Sequence, residues 1–185
     1  MSRTCFKIAA MISTLLCSGA MAGPAEDKIA KRVPEPFPGY ARLCGFPILY
    51  TRIRTVSLAR IDARLGKLIV LDPILTRPVQ AGHQRFLIAH ECAHHLLGHT
   101  APDGLQERAV EKGVTDQELS ADCWAAEALA GSEYAEDARF VADMFFRQGL
   151  YSPGSGYPSG VQRSTMIFHC LKTALRDQEK TRGAE

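Results

Sequence analysis

Residues 86–99 read FLIAHECAHHLLGH, and they set four histidines, a glutamate and a cysteine among leucines and alanines. Buried imidazoles without partners are costly, so an apolar helix-like run that carries four of them holds something with them. His90 and His94 are four residues apart, one helical turn, and their rings project from one face toward a common point. Glu91 follows the first of the pair, placed to reach a water at that point without occupying a ligand position. Two imidazoles with a nearby carboxylate suit zinc, which takes such ligands tetrahedrally and keeps a position for water in catalytic sites. The reading is His90 and His94 as metal ligands, one Zn2+ per chain, and Glu91 as general base.

A third ligand is required downstream. In QELSADCWAAEA, Glu118 follows His94 after 23 residues, and Asp122 lies one turn further on the same face. Glu118 completes the ligand set, and Asp122 accepts the outer N–H of a ligand histidine. Thr115-Asp116-Gln117-Glu118 also fits a capping box, in which Glu118 would only reach back to a backbone amide. Under that alternative Asp122 or Glu127 takes its place. His99 falls across a continued helix from the ligands and suits a structural hydrogen bond. His95 reads as packed, while His83 and His169 show no partner pattern. Cys92, about 200° around the helix from His90, faces the core.

The chain's start sets the compartment. Arg3 and Lys7 precede an apolar run from Ile8 to Leu16, and Ala20 and Ala22 stand before Gly23. That is the layout of a cleavable secretory signal over residues 1–22, too short for a comfortable membrane span. Its removal leaves 163 residues with 20 basic and 20 acidic side chains, because Arg3 and Lys7 leave and no acid does. A balanced charge points to no nucleic acid, and to no stable membrane insertion after cleavage. Cys44, Cys92, Cys123 and Cys170 remain, and an oxidising periplasmic or secreted location makes two disulfides the expectation among three possible pairings.

Residues 23–39 carry Pro24, Pro34, Pro36 and Pro38 and read as an extended lead-in, with the folded domain over 40–185. Residues 50–72 alternate polar and apolar, with a Leu65-Gly66-Lys67 turn between two β-like runs that end in a strand over 68–71. Helices are expected over 81–98, 116–130 with Thr115 as cap, 133–148 and 161–179. The expected fold class is α+β, a mostly helical zincin-like domain with a small hairpin or sheet bordering the helix of the histidines.

These residues resemble gluzincin metallopeptidases, most of all the HtpX-like and CAAX-prenyl-protease-like group in a soluble periplasmic form. The group's HExxHxxxxH pattern is similar to His90, Glu91, His94 and His99, and its glutamate with an aspartate four residues on is similar to Glu118 and Asp122. ARIDARLGKLIVLDPIL resembles its hairpin, and YPSGVQR keeps the spacing of its proline and arginine at Pro158 and Arg163, with Tyr157 standing where the group has histidine. The resemblance covers roughly residues 59–163. It implies a zinc-dependent endopeptidase that acts on peptide or protein substrates, with Glu91 and Tyr157 catalytic and Arg163 orienting Tyr157. Leu68, Ile69, Val70 and Leu71 would then bind an extended substrate by adding it to the sheet edge. Two readings compete: a proteolytically silent zinc-binding domain that serves the cell envelope as a partner or folding factor, and a metal-free helical binding protein.

Overall fold

The computed structural model describes residues 44–101 and 113–183, so the expected signal and the proline-rich lead-in lie outside the described residues. In chain order the elements are β1 (Ile48–Tyr50), β2 (Ser57–Asp62), β3 (Gly66–Leu71), α1 (Ala81–Leu96), α2 (Val114–Ala130), α3 (Ala135–Gln148) and α4 (Gly160–Arg182). The architecture is α+β, four helices and one three-stranded sheet. Among the described residues no helix is long and apolar enough to cross a membrane.

The hairpin forms as its sequence indicates, with the turn two residues earlier, over Ala63, Arg64 and Leu65. Asp62 Oδ1 accepts from the amides of Arg64 and Leu65 at 2.8 and 3.0 Å, and Gly66 takes φ +72, a conformation that favours glycine. β3 pairs antiparallel with β2, Asp62 opposite Gly66 and Ser57 opposite Leu71. Its other side pairs parallel with β1, a strand of three residues too short to show a period of two. The strand order is therefore β1-β3-β2. This corrects the expectation for Leu68, Ile69, Val70 and Leu71: they lie in the central strand, buried, with both hydrogen-bonding sides taken. Among the described residues β1 and β2 are the two outer strands.

α1 packs between the sheet and the other helices. Ile88 and Cys92 meet Ile69 and Leu71 on the sheet side. Phe86 and Ala89 join Ala125, Leu129, Val141, Phe145, Ile167 and Leu171 in the helical core. Many contact positions are alanine (89, 125, 126, 138 and 142), and small side chains let helix axes approach closely. Two disulfides secure the packing. Cys44–Cys92 ties the segment before β1 to α1, and Cys123–Cys170 ties α2 to α4. A pair of disulfides fits an oxidising compartment, and each typically stabilises a small domain by about 2–4 kcal/mol.

Two loop devices fix the ends of these elements. Asp72, fully buried after β3, accepts from the amides of Ile53, Ile74 and Leu75 at 2.8–3.1 Å, and Arg52 stands 3.3 Å away. α4 begins with a capping box between Ser159 and Gln162, a serine-to-glutamine spacing that the sequence itself carries. Its first residue, Gly160, lies so close to the end of α3 that a Cβ there would collide with the Phe145 carbonyl oxygen and stand 2.9 Å from Gln148 Cβ.

Gly160→Ala should push α4 away from α3 and destabilise the fold by about 1–3 kcal/mol, read as a lowered urea midpoint. Burial works to raise the Asp72 pKa, yet the amides of Ile53, Leu75 and Ile74 and the charge of Arg52 outweigh it and hold the carboxyl below its ordinary value. A depressed folded pKa contributes stability that is present above the unfolded value of about 3.9 and lost as pH falls through the folded one. Asp72→Asn should therefore lower stability at neutral pH and flatten its decline below about pH 4, measured by urea unfolding across that range.

Candidate metal centre

α1 places His90 and His94 one turn apart with ring centroids 4.7 Å from one another, and their Nε2 atoms stand 3.0 Å apart. From α2, Glu118 brings Oε2 to 3.3 Å from His90 Nε2 and Oε1 to 3.6 Å from His94 Nε2. Donors held ~2.0–2.1 Å from a tetrahedral ion lie about 3.3 Å from each other, and these separations bracket that spacing. The three residues are largely buried and can hold a metal ion. α2 begins at Val114 with Gly113 preceding it, and Thr115 donates to the Gly156 carbonyl instead of capping the helix. The capping-box alternative for Glu118 is thereby removed, and its carboxylate faces the histidines.

Asp122, one turn beyond Glu118 and fully buried, sets Oδ1 2.9 Å from His90 Nδ1, a close ionic contact short of good hydrogen-bond alignment. Both its oxygens accept from Arg163, at 2.7 Å from Nε and 2.6 Å from Nη2. The Arg163 guanidinium also lies over the Phe145 ring at 4.1 Å. Arg163 therefore does not orient Tyr157 by a direct bond; its donors serve the aspartate that backs the ligand histidine.

Glu91 points toward β2. Its Oε1 accepts from Ser57 Oγ at 2.6 Å, and the carboxylate also accepts from the Ala59 amide. Ser57 and the Ala59 amide are partners of Glu91 that sequence reasoning missed, because a serine at the start of a strand carries no motif and a backbone amide carries no side chain. Tyr157, in the loop between α3 and α4, is partly exposed. Its pKa is raised by burial and by the charges of Glu118 and Glu91, so the phenol lies within their electrostatic reach.

The electrostatics favour a cation. Among the described residues three carboxylates, Glu91, Glu118 and Asp122, share the centre with one guanidinium, Arg163. Glu118 and Asp122 are held below the ordinary carboxylate range, the positive neighbours outweighing burial. Burial opposes a charge on His90, but Asp122 and Glu118 outweigh it and push the imidazole up to about 10. Burial and the charge on His90 hold His94 down to about 3. Glu91 is pushed upward by burial. Buried carboxylates around two imidazoles make a setting that could hold a metal ion.

The remaining histidines divide as their surroundings dictate. His95 is buried and bonds the Leu68 carbonyl at 2.8 Å. His169 is exposed on α4. His83 is partly buried, and its pKa is lowered to about 4 by burial and by Arg163. Cys92 faces the sheet-side core, as its helical angle indicates. Glu127 lies beside Cys123 and Cys170, whose sulfurs are joined in a disulfide and offer no thiolate. No protein-family model matches the chain, and comparison with curated proteins and with solved structures returns no match.

Asp122→Ala would leave Arg163 largely buried without its carboxylate. We expect a loss of about 3–5 kcal/mol in urea unfolding of the metal-free protein, well above the effect of an exposed ion pair.

Proposed function

We propose that the chain is a zinc-dependent endopeptidase with a zincin-like catalytic domain, acting on peptide or protein substrates in the periplasm or outside the cell. The observation that carries this reading is the convergence of His90, His94 and Glu118, with the carboxylate of Glu91 outside that set and within electrostatic reach of His90 and Glu118. A site kept only for structure needs ligands and has no use for the adjacent base. The donor chemistry, two imidazoles and a carboxylate, suits zinc. The likeness of these residues to the gluzincin pattern of HtpX-like and CAAX-prenyl-protease-like enzymes supports the same conclusion.

When bound, zinc supplies Lewis-acid polarisation of the scissile carbonyl and lowers the pKa of water toward about 7. The chain's own residues do the rest. Glu91, steadied by Ser57 and the Ala59 amide and raised in basicity by burial, accepts the proton of the attacking water and passes it to the leaving amine. Tyr157 donates its phenolic proton in a hydrogen bond to the developing oxyanion. Asp122, clamped by Arg163, keeps His90 oriented. The outer edge of β2, whose Ala59 amide already faces Glu91, is where an extended peptide meets the base, in place of the buried Leu68 to Leu71 strand.

The test is zinc content and casein hydrolysis by the chain beginning at Gly23 and by its Glu91→Gln variant. We expect zinc in both and a fall in cleavage of at least ~10²-fold in the variant. Zinc in both without cleavage by either would favour the silent cell-envelope zinc domain, and a zinc-free wild type would overturn both readings.

A further inference from the structure

α1 stops at Leu96, and Gly98, in the left-handed region at φ +77, turns the chain back. The reversal is pinned by the Leu97 amide on the Ala93 carbonyl and the His99 amide on the His94 carbonyl, both at 2.8 Å. On a continued helix His99 would sit about 140° around from His94. The turn instead brings the two rings edge to face, centroids 5.3 Å apart, with His99 Nδ1 3.1 Å from His94 Nδ1. His90 and His94 both present Nε2 to Glu118, so their Nδ1 atoms are the outer nitrogens. That of His90 meets Asp122, and that of His94 meets His99.

A ring nitrogen that ligates a metal carries no proton, so the ligating tautomer of His94 has its proton on Nδ1. Two ring nitrogens 3.1 Å apart share one hydrogen bond, and with His94 as donor the acceptor is His99 Nδ1. We infer that His99 is a positioning residue of the metal centre: it accepts the His94 Nδ1–H and so fixes the tautomer and ring direction in which His94 ligates. The inference rests on the metal-site reading above. His99 stands outside the converging donor set of His90, His94 and Glu118, which separates this role from that of a further ligand. The two ligand histidines are then backed differently, His90 by a charged carboxylate and His94 by a neutral imidazole delivered by a helix-terminating turn.

The experiment measures zinc affinity by competition with a chromophoric chelator, at one pH, for the chain from Gly23 and its His99→Ala and His99→Asn variants. The melting temperature of each metal-free protein is recorded alongside. We expect His99→Ala to bind zinc about 10–100-fold more weakly and His99→Asn, which keeps an acceptor oxygen, to recover much of that loss, with metal-free melting unchanged. If His99→Ala does not fold, His99→Phe replaces it with the same expectation, filling the space without an acceptor. Wild-type affinity in the acceptor-free variant overturns the inference. So does equal weakening in both variants with a parallel fall in melting temperature, which marks a purely structural role. Failure of the wild type to bind zinc is a distinct result, and it overturns the metal-site reading together with this one.

Discussion

Asp122 is the constraint on which the rest of the site depends. It sits on α2 with no exposed surface, holds the guanidinium of Arg163 from α4 in a two-point grip and stands against His90 of α1. One carboxylate thus links side chains from three helices. Such a group is unfavourable to bury alone, and here its charge is matched by Arg163 and its oxygens are used. The arrangement fixes the angle at which α2 meets α1, and with it the place where Glu118, one turn earlier, meets the two histidines.

The close approach has a cause in the helices themselves. Alanines at 89, 125, 126, 138 and 142 leave backbones near one another, while the larger side chains, Phe86, Leu129, Ile167 and Leu171, fill the core around them. The Cys123–Cys170 bridge holds α2 to α4 close to Asp122 in sequence, and the Cys44–Cys92 bridge holds α1 from its opposite face. α1 is in this way restrained on the sheet side by a covalent link and on the helix side by packing and charge. A helix held on both faces presents His90, Glu91 and His94 with little freedom, which is what a ligand set needs if metal binding is not to carry a large ordering cost.

What could be read from the sequence was whatever repeats with a helical period. His90 with His94, and Glu118 with Asp122, are pairs one turn apart, and local geometry alone puts each pair on one face. The α+β class and the helix positions followed from the same periodicity and from glycine stops. What could not be read depends on contacts between distant segments. The three residues of β1 show no period, and so β3 looked like an edge when it is the centre of the sheet. The resemblance tied Arg163 to Tyr157, while the carboxylate it bonds lies 41 residues away. The return of His99 to His94 needed the left-handed turn at Gly98, and the pairing of four cysteines needed the packed structure.

The same concentration of charge that makes the centre suited to a metal also ties it to folding. Among the described residues Glu91, Glu118 and Asp122 face a single guanidinium, that of Arg163, and Glu91 and Asp122 are buried. In the metal-free chain the imbalance is eased by a proton on His90, drawn there by Asp122 and Glu118 against the effect of burial. A divalent ion would displace that proton and bring two positive charges among the same carboxylates. Because the three candidate ligands come from two helices and meet only when those helices are packed, an ion held there would favour the folded chain, and its affinity would add to stability by mass action. Folding and metal loading would then be linked: the helix contacts assembled by Asp122 bring the candidate ligands together, and an ion held by them would reinforce those contacts.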